Sequence, residues 1–299
     1  MFPPPPIPAP KCNLHDWAVL RSELLFIYDR VIPSGSARTK GSREGDFSAW
    51  LVRNGRARVV ADGAEAEAGP GQWLVCFGKQ IDQTLDPDTH LLSLRILQDW
   101  PDGSPLFSGG PLHVLDAERH PQLEKLARPL LRLAGDVQFD NLRLDPRDRF
   151  LWKTQLDYLT YAKYQRHLIA WLAALARSLM HEGAAMHVPG SNDPRLASVF
   201  QVVDARSPSD PFPEASVCRA SGLSIGRLNR LCVQAYGFTV HAYWERRRVQ
   251  RARQALEVPA IRVKEVASEL GFVQLSHFSA WFKRHAGASP RAYRQSLKI

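Results

Sequence analysis

The chain has 299 residues, 44% of them apolar, which is enough to bury two cores of ordinary domain size. Its formal net charge is +9, and the charge is unevenly placed: from Arg195 onward there are 17 Lys/Arg against 7 Asp/Glu, a net +10, so the first 194 residues sum to −1. A basic module joined to a near-neutral one excludes a uniformly charged scaffold and points to a polyanion held at one end.

The first 17 residues form a Pro-rich tail; MFPPPPIPAP lacks the basic and apolar segments of a secretory signal. The longest apolar run, Leu168 to Ala176, is far short of a membrane span, so no membrane partner is expected. Four cysteines (Cys12, Cys76, Cys218, Cys232) show no CxxC spacing, which fits a reduced, cytoplasmic setting.

Residues 18–118 read as a β domain. LLFIYDRVI is followed by a Ser/Gly-rich loop, then FSAWLVR-NG-RARVV reads as a hairpin whose Asn54-Gly55 accepts the positive φ of a type I′ turn. AEAEAGPGQWLVCFG and HLLSLRILQDW are strand-like, and several antiparallel strands at this spacing predict a small barrel or sandwich. Tyr28, Phe47, Trp50, Trp73 and Phe77 are the aromatics that could line an effector pocket inside it. No Gly-x-Ser-x-Gly, P-loop or dinucleotide fingerprint is present, and no catalytic residue, cofactor or metal ligand is assigned.

Residues 119–184 read as helical. One helix runs from Pro121 to about Leu133, with Pro129 expected to kink it and Gly135 to stop it. A second begins at Asp145-Pro146 and reaches about Gly183; Tyr161, Tyr164, Leu168, Trp171, Leu172, Leu175 and Leu179 form an apolar stripe along it. The stripe packs either on the β domain and the neighbouring helix or on a second subunit, and a homodimer is the expectation. Residues 185–194, rich in Pro, Gly, Ser and Asn, are the linker.

Residues 195–299 contain an internal repeat. Val217 to Leu223 matches Val266 to Phe272 at an offset of 49; Leu228, Cys232, Gly237, Thr239, Ala242 and Tyr243 match Phe278, Phe282, Gly287, Ser289, Ala292 and Tyr293 at an offset of 50. Each copy reads as helix, glycine turn, helix, at about 213–237 and 262–287, the pattern whose second helix enters a DNA major groove. VHAYWERRRVQRARQALE joins them as one helix ended by Pro259. Its length of roughly 27 Å is near the ~34 Å between adjacent major-groove faces.

The run from Arg248 to Leu256, Gly271-Phe272, FxxxFKR from Phe278 to Arg284 and GASPRAY from Gly287 to Tyr293 resemble the AraC/XylS family of bacterial transcription regulators. Two departures stand out: the family usually has arginine where this chain has Ala280, and proline where it has Val240. The hairpin, Gly-Pro-Gly turn and strand also resemble the cupin-type sensor domain such regulators often carry. Cupin enzymes hold a metal with a His-x-His pair, and His15, His90, His113 and His120 include none, which argues against a metal enzyme.

The resemblance implies an α+β multidomain chain: an N-terminal cupin-like antiparallel β-barrel sensor, a helical association segment and a C-terminal all-α tandem helix-turn-helix domain. The expected function is a sequence-specific DNA-binding transcription regulator that binds double-stranded DNA and responds to a small-molecule effector, with RNA polymerase a further partner of an activator. A cupin-type enzyme with a DNA-binding appendage and a regulator with no small-molecule ligand are the alternatives. The outward positions are Gly226, Arg227, Asn229 and Arg230 in the first copy and Gln274, Ser276, His277, Ala280, Lys283 and Arg284 in the second. Asn229 and Arg230 suit paired bonds to adenine and guanine, and Lys283 and Arg284 suit phosphates, so the first copy is expected to carry more of the specificity.

Overall fold

The computed structural model describes residues 14–32, 38–42, 45–101, 104–135, 155–188, 193–258 and 261–296. A one-turn helix α1 (Leu14–Trp17) precedes strands β1 (Arg21–Val31), β2 (Arg38–Ser42), β3 (Asp46–Asn54), β4 (Ala57–Ala61), β5 (Ala64–Ala68), β6 (Gln72–Cys76), β7 (Gln80–Leu85), β8 (His90–Asp99), β9 (Phe107–Ser108) and β10 (Leu112–Asp116). They form an antiparallel five-stranded sheet, β1-β8-β3-β6-β10, and a four-stranded sheet, β2-β7-β4-β5.

Side-chain alternation sorts the larger sheet into two buried faces. Trp50, Val52, Leu74, Cys76 and Leu91 meet Ala57, Val59, Ile81 and Leu85 of the smaller sheet. Their neighbours Ala49, Leu51, Trp73, Val75, Leu92 and Leu94 face the other way, into a core shared with two helices. This double burial explains why β3, β6 and β8 read as nearly continuous apolar runs, whereas β4, with one face in water, alternates.

The expected hairpin across Asn54-Gly55 does not form. β3 lies between β6 and β8, while β4 lies between β5 and β7 in the other sheet. Of the pair only Gly55 takes a positive φ, 76°, whereas a type I′ turn needs two. The chain changes sheets here, and a Cβ on Gly55 would lie 2.5 Å from Thr89 Oγ1. The turn with both φ positive is Asp62-Gly63, at 46° and 85°, which joins β4 to β5 with Ala61 opposite Ala64.

Helix α2 (Pro121–Ala134) has proline in its first turn and continues through Pro129; Gly135 stays right-handed, with φ −60°. Helix α3 (Tyr158–His181) starts later than its sequence suggests: Asp157 accepts from the Leu159 and Thr160 amides and sets the first turn there. The expected start at Asp145-Pro146 lies outside the described residues, and residues 155–157 are not helical. The stripe on α3 is core: Leu168, Trp171, Leu172, Leu175 and Leu179 are buried with Leu123, Ala127 and Leu130 of α2. Trp171 Nε1 donates to Leu123 O at 3.0 Å, and the Leu24 amide donates to Tyr164 Oη at 2.9 Å. From Leu168 to Leu179 the stripe packs within its own chain, the first of the two expected arrangements, while Tyr161 at its start is exposed. After α3, β11 (Ala185–Met186) pairs with β9.

The C-terminal region is all helix: α4 (Pro194–Asp204), α5 (Glu214–Ser221), α6 (Ile225–Tyr236), α7 (Val240–Leu256), α8 (Val263–Glu269), α9 (Leu275–Ala286) and α10 (Pro290–Ser296). The repeat is real in three dimensions. Leu228 and Cys232 of α6 and Phe278 and Phe282 of α9 are all fully buried, and Tyr243 and Tyr293 close the two units in matching places. Burial pushes the Cys232 thiol up to about 12, as an inert core thiol requires.

Candidate nucleic-acid interface

Each unit is shaped by a glycine that ends its first helix and another that ends its second. Gly222 (φ 66°) and Gly271 (φ 78°) make the turns; Gly237 (φ 78°) and Gly287 (φ 79°) terminate α6 and α9. Gly271 is doubly required, because a Cβ there would also meet the Ser209 carbonyl oxygen at 2.5 Å.

The turns orient α6 and α9 so that one face is core and the other is open. On α6, Gly226, Arg227 and Arg230 are exposed; on α9 and the residue before it, Gln274, Ser276, His277, Ala280, Lys283 and Arg284 are exposed. Asn229 departs from its expected role. It is half-buried, and its Oδ1 accepts the backbone N–H of Val240 at 3.1 Å, capping the start of α7. That bond exists because residue 240 is valine; the proline usual in the resembling family has no N–H to give. The bond turns the amide toward α7 and its half-buried surroundings, away from the open face on which a bidentate adenine pair would form. Thr239 caps the same helix through the Ala242 amide, so two side chains fix the entry of α7.

Sequence reasoning overlooked two apolar residues on this face: Val273, 100% exposed, and Leu275, 44% exposed, at the turn into α9.

Helix α7 ties the two units together. Arg248 donates to the Pro208 and Leu270 carbonyls at 3.1 and 3.0 Å, and its guanidinium lies 4.8 and 5.0 Å from the Phe272 and Trp281 ring centres. Glu245 accepts from Trp281 Nε1. Toward the first unit, Arg247 donates to the Val203 carbonyl at 2.7 Å, and the Tyr243 hydroxyl donates to Asp204 at 2.8 Å. So much of the helix's basic character is structural: these arginines serve carbonyls and rings, whereas Arg227 and Arg230 of α6 and Lys283 and Arg284 of α9 are exposed.

The opposite side of α7 meets the β domain. Arg95 of β8, buried, lies between Asp46 of β3 (2.8 Å) and Glu257 at the end of α7. Glu23 of β1 accepts from Arg251 at 2.9 Å and from Arg21 at 2.9 Å, while Arg21 also donates to Gln250 at 3.0 Å. Burial alone would raise the Glu23 carboxyl, yet Arg251 and Arg21 hold it below its ordinary value; burial lowers Arg251 to about 10. Leu25 and Leu97 bury themselves with Ala252, Leu256 and Val258 beside these ions. Asp99, at the end of β8, is pushed up to about 7 by burial, with Arg21 opposing and Asp204 adding to the rise.

Next to this contact is a cavity of about 500 Å³, lined by Arg21, Glu23, Leu130, Tyr161, Tyr164 and Arg251 among others. It is bounded by β1, α2, α3 and α7. The five aromatics expected to share a pocket do not share one. Trp50 and the partly buried Tyr28 belong to the layer between the sheets, whereas Phe47, Trp73 and Phe77 belong to the helix-facing core. Trp73 packs on Trp171 at 6.2 Å, and Phe77 lies 4.8 Å from Phe47. Neighbouring strand positions point to opposite faces, and the expected set mixed the two parities.

Residues 217–296 match a family described as a helix-turn-helix domain. The HTH-type transcriptional regulator GbdR of Pseudomonas aeruginosa (strain UCBPP-PA14) is 30% identical over 113 residues, covering 38% of this chain and 30% of that protein. The HTH-type transcriptional activator RhaS of Salmonella schwarzengrund is 33% identical over 124 residues, covering 42% of each. The chain thus spans less than half the length of the curated relatives it matches. Among solved structures, ToxT from Vibrio cholerae O395 aligns over 93% of this chain and 98% of that one, at 10% identity and a TM-score of 0.43.

Proposed function

We propose that this chain, whose C-terminal domain is an AraC-type helix-turn-helix domain, is a sequence-specific DNA-binding transcription regulator under the control of a small-molecule effector. The observation that carries the reading is the pair of matched helices, α6 and α9, each with a buried aromatic or aliphatic face and an exposed face of Arg, Lys, Gln and Ser. Arg227, Lys283 and Arg284 neutralise phosphates and supply most of the affinity. Arg230 reads a guanine edge; Gln274, Ser276 and His277 read bases beside it, with Val273 and Leu275 suited to thymine methyl groups.

The effector reading moves from the five barrel aromatics to the cavity beside α7. Its walls combine aromatic and aliphatic surface with two arginines and one carboxylate, the mix of apolar body and few polar groups that small-molecule sites use. A ligand there touches β1, α3 and α7 together, so it favours one arrangement of the β domain on α7 over another, as differential affinity requires. A homodimer remains part of the proposal. With the α3 stripe buried, the surface available for it on that helix is the side carrying the exposed Tyr158 and Ile169. The curated relatives are transcriptional regulators. No helix among the described residues is long and apolar enough to cross a membrane.

The test is a salt titration of the full chain on a labelled random-sequence duplex, read by fluorescence anisotropy. Log affinity should fall linearly with log salt at a slope of several, about 0.9 for each phosphate neutralised. Affinity that is flat between low and moderate salt contradicts the reading.

A further inference from the structure

The joint between the two association-segment helices holds a side-chain cluster that DNA binding does not use. Glu182, the residue that caps α3, gathers three partners on one carboxylate oxygen. His120 Nε2 and His181 Nδ1 each lie 3.3 Å from Oε1, and Arg119 Nη2 lies 3.4 Å from it. One ligand atom from each of His120, His181 and Glu182 falls within 4.8 Å of the others.

Those separations are long for charge-assisted hydrogen bonds, which close to about 2.7–2.9 Å. The two histidine–carboxylate separations match donors on one tetrahedral ion, whose bonds of about 2.0–2.1 Å put donor atoms roughly 3.3–3.4 Å apart. The two imidazole nitrogens, within 4.8 Å of each other, are in reach of the same ion. Two imidazoles and one carboxylate form a borderline nitrogen and oxygen set, suited to zinc, cobalt, nickel or copper and ill suited to magnesium or calcium.

The scaffold around the cluster is rigid. His120 is buried at the head of α2, and its amide donates to Asp116 O at 3.1 Å. His181 and Glu182 close α3, whose C-terminal end favours a cation. The two helices are already packed through Leu123, Ala127, Leu175 and Leu179, so little reordering is needed to bring the three groups onto an ion. His181 and Glu182 are exposed, leaving a path from solvent and an open fourth position. Arg119 is the one opposing group. Its side chain is mostly exposed, and such a contact is weak enough to be displaced.

We infer that His120, His181 and Glu182 form a three-ligand site for a divalent transition-metal ion of the zinc class, clasping the start of α2 to the end of α3. The site lies outside both sheets and is unrelated to a cupin metal centre. Immediately beyond it the chain turns at Gly183 into β11 and on toward α4, with the Trp100 indole holding His187 O at 2.9 Å. A bound ion therefore stiffens the junction from which the DNA-binding half departs.

The test uses untagged full-length protein, stripped with a chelator and titrated with cobalt(II). The expected result is one equivalent bound at micromolar affinity, with the visible d–d absorption of a four- or five-coordinate ion that zinc abolishes by displacement. His181→Gln and Glu182→Gln, both at exposed positions, should weaken binding at least tenfold and remove the absorption. Arg119→Gln should tighten it, and His90→Gln, at a separate imidazole hydrogen-bonded to Asp29, should leave it unchanged. Saturation absent below millimolar cobalt, or binding that survives His181→Gln, overturns the inference and leaves the cluster as an ion-pair set alone.

Discussion

The contact between the β domain and α7 predicts an ordered pair of substitution effects at Arg95. This guanidinium is 5% exposed and sits between two carboxylates, Asp46 and Glu257, on opposite sides of the domain boundary. Arg95→Met keeps the length of the side chain but leaves both carboxylates facing each other without a cation. Removing one partner of a buried ion set costs about 3–5 kcal/mol. Glu257→Gln is milder: Arg95 keeps Asp46, and the amide oxygen still accepts one N–H. Arg95 donates to both Glu257 oxygens, so the loss is one of those two bonds and the carboxylate charge, about 1–2 kcal/mol. Hydrogen exchange of β8 amides in the full chain measures the opening, since 1.4 kcal/mol is about tenfold in an equilibrium constant. Glu257→Gln should speed β8 exchange by roughly 5–30-fold, and Arg95→Met by more than a hundredfold. Equal effects, or Glu257→Gln the larger, would refute the account of Arg95 as the central cation of a domain-spanning triad.

Three further outcomes follow from single contacts. Gly271→Ala should destabilise the chain by about 1–3 kcal/mol in thermal unfolding, from strained backbone plus collision with the Ser209 carbonyl, whereas Gly226→Ala, with open space around it, should be neutral or stabilising. Leu168→Asp should lower the unfolding midpoint sharply, because it places a carboxylate in the α2–α3 core; a well-folded monomer would show instead that the stripe was an interface. Asp99 gives a pH signature. Its folded value of about 7 lies above the ordinary 3.8, so the carboxyl's contribution is fully present below about pH 4 and is lost as pH rises toward 7. Asp99→Asn should therefore gain stability relative to the parent across that window and hold the gain at pH 8; a difference independent of pH contradicts the buried carboxyl.

The C-terminal region was the most legible part because its signal is local and repeated. Gly222, Gly237, Gly271 and Gly287 each sit where only a left-handed residue turns the chain, and the apolar spacing of Phe278 and Phe282 is helical on sight. Strand pairing was less legible. Asn54-Gly55 and Asp62-Gly63 are both hairpin signals, and which pair of strands each joins depends on Thr89 and on partners dozens of residues away. Parity hid the pocket: Phe47, Trp50 and Trp73 are equally aromatic in sequence, and only the sheet divides them between two faces. Asn229 looked like a reader because it neighbours the outward-facing Arg230, yet Val240, eleven residues on, donates to its oxygen. His120 and His181 are 61 residues apart, so no spacing rule could have joined them.

Two helices of unequal chemistry facing one duplex should leave separate marks on the sequence they prefer, and binding-site selection from a random duplex pool reads both. The full chain should enrich a bipartite site, its two elements about one helical turn apart. Arg230→Ala should cost about 1–3 kcal/mol on that site and relax the preference at one base pair, while Lys283→Ala weakens all sequences alike and lowers the salt slope by roughly 1. Asn229→Ala should leave the preferred bases unchanged and cost about 1 kcal/mol in stability through the lost cap. A pool that shows no enrichment, or a preferred sequence that changes with Lys283→Ala and not with Arg230→Ala, contradicts the claim.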